Sequence, residues 1–104
     1  MKISILIPVN DFDIVALVHS MKDGIEQVPE FCEIIIGDDG SSEEFKKKYQ
    51  SLAKGKVKLV SSEKNIGRAS IRNRLISEAT GDFLLFIDAD AMVRGTAENY
   101  LHKW

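Results

Sequence analysis

The chain has 104 residues, enough for one domain with a single hydrophobic core. Its net charge of −2 shows no marked excess of either sign, so neither nucleic acid nor a membrane surface is an expected partner. No apolar stretch reaches the roughly 18 residues that a membrane span needs. The single cysteine, Cys32, excludes an internal disulfide and a cysteine-based zinc site, and it fits a reducing compartment.

The amino-terminal part of the chain alternates strand-like and helix-like segments. An apolar, β-branched run predicts a first strand over Ile3–Val9, and residues 31–37 repeat that pattern as a second buried strand. Between them, apolar residues at helical spacing predict a helix over about residues 13–26. Asp11 and Asp13 are suited to cap that helix.

The middle of the chain continues the alternation. An acidic turn over residues 38–42 precedes a second helix, which Ser41 or Ser42 is suited to cap. The helix is expected to end at Gly55, and residues 57–60 form a short third strand.

The carboxyl-terminal part predicts one more helix and one more strand before the end of the chain. The third helix covers residues 66–80, and the fourth strand, over residues 83–87, is expected to be buried on both faces. A short helix is predicted within residues 91–104. The inward-facing residues of the third helix are predicted to be Ile71, Leu75, Ile76 and Ala79.

Three strand–helix units followed by a fourth strand predict an α/β fold with three layers. The expected sheet is doubly wound and mostly parallel, in the strand order 3-2-1-4, with its switch point between strands one and four. Parallel topology places the carboxyl ends of all the strands at one edge of the sheet. The polar residues that follow these strands are Asn10, Asp11, Asp38, Asp39, residues 61–67, Asp88 and Asp90.

The segment from Phe83 to Asp90 places five apolar residues directly before two carboxylates, Asp88 and Asp90. Like charges this close repel each other unless a cation or several donors accompany them. Hard oxygen ligands suit Mg²⁺ or Mn²⁺, which usually share their coordination with substrate phosphates. The alternative is an ordinary helix-capping turn, since Asp is common after strands. This segment alone leaves both interpretations open.

Four segments together resemble the nucleotide-sugar-binding part of a family-2 glycosyltransferase with the GT-A fold. They occur in the family's order and spacing and span nearly the whole chain. The resemblance implies inverting transfer from a nucleotide-diphosphate sugar, in the first instance a UDP-sugar, to the hydroxyl of a glycan or lipid-linked acceptor in polysaccharide biosynthesis. The segments are ILIPVND (5–11), EIIIGDDGSS (33–42), NIGRASIRN (65–73) and GDFLLFIDAD (81–90).

The resemblance also implies roles for individual residues. Asp39 would hydrogen-bond the uracil ring, a role that suits a carboxylate because it accepts from a ring N–H. Asp88 would face the ribose, and Asp90 would bind Mn²⁺ or Mg²⁺ on the diphosphate. One of the two arginines, Arg68 or Arg72, would reach the diphosphate. The full set of implied donor-binding residues is Pro8, Val9, Asn10, Asp39, Asn65, Gly67, Arg68, Arg72 and Asp88.

The sequence departs from the family pattern in three respects. Asn10 stands where the family commonly has an aromatic residue, which removes a base-stacking contact. Gly37 replaces a branched residue before the two acids, which predicts looser packing there. The family's second half, which binds the acceptor and supplies the catalytic base, has no counterpart here. The chain is therefore expected to be the amino-terminal part of a longer transferase and to be inactive alone. Its fourth strand is then expected to be uncovered, which favours homodimers.

Two other classes of protein remain as alternatives. One is a sugar-nucleotide-binding module that never catalyses. The other is a receiver-type domain that would accept a phosphoryl group on Asp39 or Asp88, although it would need a fifth βα unit. The expected location is the cytoplasm, with the inner face of the membrane as a second option.

Overall fold

The computed structural model describes the backbone of residues 2–27 and 31–87, and the side chains of residues 2–24 and 33–87. The predictions made for residues 88–104, including the short helix and the roles of Asp88 and Asp90, lie outside this part of the chain. Its elements are β1 (Ile3–Val9), α1 (Val15–Gln27), β2 (Phe31–Asp39), α2 (Glu43–Leu52), β3 (Val57–Ser62), α3 (Arg68–Glu78) and β4 (Phe83–Phe86).

The strands form a parallel sheet in the order β3-β2-β1-β4, which confirms the predicted topology. The pairing of β1 with β2 extends to Val9 opposite Asp38, and that of β2 with β3 extends to Asp39 opposite Ser62. The carboxyl ends of these three strands therefore lie side by side. The loops that follow them meet at the same edge of the sheet.

Helices cover both faces of this sheet, as the three-layer prediction requires. Ile5 and Ile34 belong to a core shared with α1 and α2. Leu6 and Ile35, their neighbours in sequence, pack instead against Leu75 of α3. Alternate strand residues point to opposite faces, so β1 and β2 are buried on both sides. None of the helices within the described residues has both the length and the apolar character that crossing a membrane requires.

Several element boundaries differ from the prediction. The ladder between β2 and β3 continues through Asp38–Ser61 and Asp39–Ser62, so both strands run two residues further than expected. The third helix begins at Arg68 instead of residue 66 because the preceding Gly67 has a φ of 94°, which no right-handed helix contains.

The capping prediction is confirmed for Asp13 and wrong for the other candidates. Asp13 Oδ1 accepts a hydrogen bond of 3.0 Å from the Val15 N–H at the start of α1. Ser42 precedes α2, but its hydroxyl makes no capping bond. Its N–H instead donates to Asp11 Oδ1 at 2.7 Å, so Asp11 joins two loops and does not cap α1.

Two burial predictions are wrong. Ile76, expected to face the core, is 44% exposed, because the side chains that α3 fully buries are Ile71 and Leu75. The fourth strand exposes 55% of Phe83 and 39% of Leu84, so its expected burial on both faces is wrong, whereas the expectation that it is left uncovered is confirmed for these two side chains. The reason is its place at the edge of the described sheet, where β1 is its paired strand.

The prediction of loose packing at Gly37 is also wrong. A Cβ atom built on Gly37 would lie 2.7 Å from Leu75 Cδ1, well inside van der Waals contact. Leu75 is itself fully buried. The missing side chain therefore lets α3 pack closely against β2.

A buried glutamate ties the elements together near the opposite end of the sheet. Glu33 accepts hydrogen bonds from Lys58 Nζ at 2.8 Å, Ser4 Oγ at 2.7 Å and the Thr80 N–H at 2.6 Å. Ser4 Oγ in turn accepts from the Gly81 N–H at 2.9 Å. Burial alone would raise the pKa of Glu33, but these donors together lower it to about 2. The ionised carboxylate thus joins three strands to the turn that follows α3.

Candidate functional site

The loops after β1 and β2 are joined by side-chain hydrogen bonds. Asn10 Nδ2 donates to the backbone carbonyl of Asp39 at 2.6 Å. The Asp11 N–H donates to Ser41 Oγ at 2.9 Å, while its carboxylate accepts from the Ser42 N–H. Asp11 has a φ of 48°, a left-handed conformation that Asp adopts more readily than most residues. These bonds hold the first loop against the second.

Tyr49 of α2 is hydrogen-bonded to the backbone of the loop after β1. Its hydroxyl donates to the Phe12 carbonyl at 2.7 Å and accepts from the Phe12 N–H at 3.2 Å. Tyr49 is fully buried, and this burial raises the pKa of its phenol above the ordinary value. The hydroxyl therefore stays protonated and keeps its donor at neutral pH.

Asp38 is buried and its carboxylate is occupied. It accepts hydrogen bonds from the Ser41 N–H at 2.9 Å, Ser61 Oγ at 2.8 Å and Lys46 Nζ at 3.1 Å. Burial alone would raise the pKa of this carboxyl, but the donors around it lower the pKa below its usual range. Asp38 is therefore an ionised structural group and is not available to a ligand.

Asp39, the next residue, faces the opposite side of β2 and keeps one carboxylate oxygen available. Its Oδ1 accepts a hydrogen bond of 2.7 Å from the Ile66 N–H in the loop after β3. Among the described residues, Oδ2 has no such partner, and no buried side-chain oxygen lacks one. Oδ2 therefore keeps some solvent access, although Asp39 as a whole is only 6% exposed.

One glycine lies in each of the two loops that meet here, Gly40 after β2 and Gly67 after β3. Gly40 has a φ of 68°, and a Cβ there would lie 2.9 Å from Asn65 Cα, so the two loops touch through their backbones. Asn65 Oδ1 accepts a hydrogen bond of 3.2 Å from the Gly67 N–H, just before α3 begins. The loops after β2 and β3 are thereby packed together around Asp39.

The arginines of α3 occupy different positions. The guanidinium of Arg72 lies over the Phe86 ring, with Cζ 4.1 Å from the ring centroid, in a cation–π contact beside the end of β4. Arg74 donates to the Ser61 carbonyl at 3.3 Å. Arg68 is the first residue of α3 and is exposed.

The structure brings together a part of the predicted donor-binding set. Asp39 ends β2, and the loops that carry Asn10, Asn65 and Gly67 meet around it at the carboxyl edge. Val9 is in the hydrophobic core, and its neighbour Pro8 is half-buried. The side chain of Val9 therefore does not face a ligand, and its contribution to a site would come from its backbone.

Sequence reasoning missed three residues that hold the site in place. The sequence places Tyr49 in an apolar stripe and Lys46 in a lysine run, and neither pattern indicates the hydrogen bonds that they make. Ser61 follows the predicted third strand directly, and this position at the carboxyl edge was the one available signal. Serine is too common in loops for such a signal to be specific.

Within residues 2–27 and 31–87, no group of three or more His, Cys, Asp or Glu side chains is arranged to hold a metal ion. Asp38 is saturated with donors, and Asp39 offers one oxygen. The predicted metal ligand, Asp90, lies outside the described residues. Its assignment stays a prediction.

The sheet order and the polar loops at the carboxyl edge define a doubly wound α/β protein with its candidate ligand site at that edge. Residues 4–96 match the family described as Glycosyl transferase family 2. The chain belongs to this glycosyltransferase family.

Individual relatives agree with the family match. An uncharacterized glycosyltransferase of Rickettsia bellii is 33% identical over 89 residues, which cover 86% of this chain and 13% of that protein. A cholesterol galactosyltransferase of Borreliella burgdorferi is 32% identical over 90 residues, covering 80% of this chain and 24% of that protein. The chain thus spans a quarter or less of these curated relatives.

A solved structure supports the fold. The crystal structure of S. aureus TarS superposes with a TM-score of 0.68 at 29% identity, over 86% of this chain and 17% of that one. The structure of TarS 1–349 gives a TM-score of 0.61 at 28% identity, over 86% of this chain and 28% of that one. The predicted GT-A type of α/β sandwich is confirmed.

Proposed function

We propose that this chain binds the nucleotide-sugar donor of an inverting glycosyltransferase. The donor is a UDP-sugar, and the receiving group is the hydroxyl of a glycan or lipid-linked acceptor. Membership of the glycosyltransferase family supports the class of reaction. The observation that carries the donor proposal is the geometry of Asp39, whose Oδ1 is held by the Ile66 N–H while Oδ2 is not occupied by a donor of the described residues.

A carboxylate oxygen that lacks a hydrogen-bond donor from the protein favours bases that present a ring N–H. Uracil carries such a proton on N3, whereas the corresponding nitrogen of cytosine carries none and acts as an acceptor. Asp39 Oδ2 can accept from the first and would repel the second. The proposed pocket should therefore prefer UDP to CDP.

The arginines of α3 supply positive charge for the diphosphate. Stacking on Phe86 occupies one face of the Arg72 guanidinium and leaves the N–H groups at its edge available to phosphate oxygens. Arg68 begins the same helix. One of these two side chains is proposed to make the charge-assisted hydrogen bonds to the diphosphate.

The metal proposal rests on the residues after β4. Asp90 is proposed to hold Mn²⁺ or Mg²⁺, and Asp88 to face the ribose. Carboxylate oxygens fit these hard ions, which when bound neutralise charge on a departing diphosphate. The resemblance to the family supports this assignment.

Titration calorimetry with UDP and CDP tests the proposal. We expect UDP to bind more tightly than CDP, and Asp39→Asn to weaken UDP binding by about tenfold, as for a lost hydrogen bond to a charged group. Asp13→Asn is the matched control, since its carboxylate is exposed and caps α1. Mn²⁺ should strengthen UDP binding to the unaltered chain but not to Asp90→Ala. Equal affinity for UDP and CDP, or an unchanged affinity in Asp39→Asn, would refute the assignment of Asp39.

A module that binds the donor without catalysis would carry the same binding residues. Transfer from a UDP-sugar to an acceptor, measured on a protein that joins this chain to an acceptor-binding half, would distinguish the two. Membership of the glycosyltransferase family favours the transferase and the non-catalytic donor-binding module over a receiver-type domain. Incubation with acetyl phosphate and Mg²⁺ is expected to leave Asp39 unmodified.

A further inference from the structure

Lys46 of α2 reaches across the ends of two strands. Its side chain is only 16% exposed, and its Nζ lies 3.1 Å from Asp38 Oδ2. The same ammonium donates to the backbone carbonyl of Ser62 at 3.0 Å and lies 3.4 Å from Ser61 Oγ. Asp38 belongs to β2 and both serines belong to the end of β3, so one cation holds the two strand ends together.

The segment that Lys46 holds is the one that orients Asp39. Ser62 is paired with Asp39 in the β2–β3 ladder, and its hydroxyl donates to the Lys64 carbonyl at 2.6 Å. That bond turns the chain toward Ile66, whose N–H donates to Asp39 Oδ1. A short series of contacts therefore leads from the Lys46 ammonium to the Asp39 carboxylate.

The neighbouring lysines on α2 do not share this arrangement. Lys47 is exposed, and Lys48 pairs at 3.4 Å with Asp13, whose carboxylate is itself 57% exposed. Exposed pairs of this kind contribute little, whereas loss of a partner from a buried pair leaves an uncompensated charge. Lys47 therefore provides a control with the same side chain on the same helix.

We propose that Lys46 is a positioning residue for nucleoside recognition: its ammonium holds the loop after β3 so that the Ile66 N–H orients Asp39 toward a bound nucleoside diphosphate. The inference rests on the proposed function of Asp39. Loss of stability in a Lys46 variant would not establish it, because a purely structural ion pair predicts the same loss. The geometry at Asp39 and the affinity for the nucleotide are the properties that distinguish the two roles.

Nuclear magnetic resonance of the ligand-free chain tests the geometry. In Lys46→Met we expect the Ile66 amide to lose its hydrogen-bonded chemical shift and to exchange with solvent about tenfold faster, as for one weakened hydrogen bond. Lys46→Arg, which keeps the cation, should restore most of the protection, and Lys47→Met should leave it unchanged. If Lys46→Met does not fold, Lys46→Gln replaces it, since it keeps a donor without the charge. An unchanged Ile66 amide in the folded variant would overturn the proposal.

Calorimetry with UDP tests the consequence for binding. Lys46→Met should weaken UDP binding by about tenfold. In a chain that already carries Asp39→Asn the same substitution should weaken binding much less, because the effects of two residues that act through one another are not additive. Equal losses in both backgrounds would overturn the positioning role. If the unaltered chain does not bind UDP, the proposed function fails, and the Ile66 amide alone then decides whether Lys46 orients Asp39.

Discussion

The side-chain amide of Asn10 donates a hydrogen bond of 2.6 Å to the backbone carbonyl of Asp39. This bond links the ends of two adjacent parallel strands at the point where the candidate site begins. Asn10 stands where the family resemblance expects an aromatic residue. In such proteins the aromatic side chain would stack on the base, whereas Asn10 binds the backbone of the neighbouring strand. Without a stacking contact from this position, recognition of the base should depend on hydrogen bonds to the edge of its ring.

Replacing Asn10 with alanine should affect the site more than the fold. We expect Asn10→Ala to lower the free energy of unfolding by about 1 kcal/mol, the usual net contribution of one hydrogen bond. UDP binding should weaken several-fold, because the Asp39 carbonyl is no longer held. Urea denaturation and calorimetry measure the two effects. Asn73→Ala, at an exposed position on α3, is the control: it should not weaken UDP binding and should not lower the free energy of unfolding, because alanine favours a helix.

Removal of the Tyr49 hydroxyl should destabilise the fold by releasing the first loop. Tyr49→Phe keeps the buried ring but leaves the N–H and carbonyl of Phe12 without their partner. The expected loss in the free energy of unfolding is about 1–3 kcal/mol, as for unpaired polar groups. Ser51→Ala, on the same helix, removes an exposed hydroxyl and should cost little. Equal losses in the two variants would show that Tyr49 does not hold the loop.

Stability should fall in acid because of Glu33. Its pKa is about 2 in the folded chain against an ordinary value of 4.5, so its contribution is complete above pH 4.5 and is lost as the pH falls from 4.5 toward 2. The contribution amounts to about 3 kcal/mol near neutral pH. Glu33→Gln should therefore be less stable at pH 7 and show a shallower loss between pH 4.5 and 2.

Urea denaturation at several pH values measures the Glu33 effect. Glu63→Gln removes an exposed carboxylate and provides the control. If Glu33→Gln and the unaltered chain lose stability equally over this range, the acid sensitivity arises from other groups.

Adding a side chain at Gly37 should destabilise the packing of α3 on the sheet. A Cβ there would lie 2.7 Å from Leu75 Cδ1, and Leu75 is fully buried and cannot move freely. We expect Gly37→Val to lower the free energy of unfolding by about 1–3 kcal/mol through overpacking. In a chain that already carries Leu75→Ala, the further loss caused by Gly37→Val should be smaller, because the clashing side chain is gone. Gly24→Ala has open space around its Cβ and should not destabilise α1.

The edge of β4 should mediate self-association. Phe83 and Leu84 are 55% and 39% exposed on a strand whose pairing, within the described residues, is with β1 alone. Unpaired edges and apolar side chains favour contact between copies of a chain. We expect a concentration-dependent dimer in sedimentation velocity, weakened by Leu84→Lys. Ala16→Lys, at an exposed position on α1, should leave it intact, and a monomer at all concentrations would refute the prediction.

Apolar content and periodicity account for the elements that the sequence predicted correctly. β1 and β2 read as buried parallel strands because both of their faces are covered, and alternation with helices leaves few topologies that obey right-handed connections. The run at β4 has the same composition but lies at an edge of the described sheet. Sequence pattern reports apolar content and not the number of neighbours, which explains the wrong burial prediction for Phe83 and Leu84.

The family, the strand order and the edge of the sheet at which the polar loops meet could all be predicted from the amino-acid sequence, because they follow from local patterns and from the rules of parallel sheets. Which of the two adjacent aspartates can accept a hydrogen bond from a ligand depends on contacts between distant parts of the chain. Side chains alternate along β2, so Asp38 points toward α2 and pairs with Lys46, while Asp39 points toward the loop before α3. The Asp38 carboxylate accepts hydrogen bonds from several donors of the protein, whereas one oxygen of Asp39 has no such donor among the described residues.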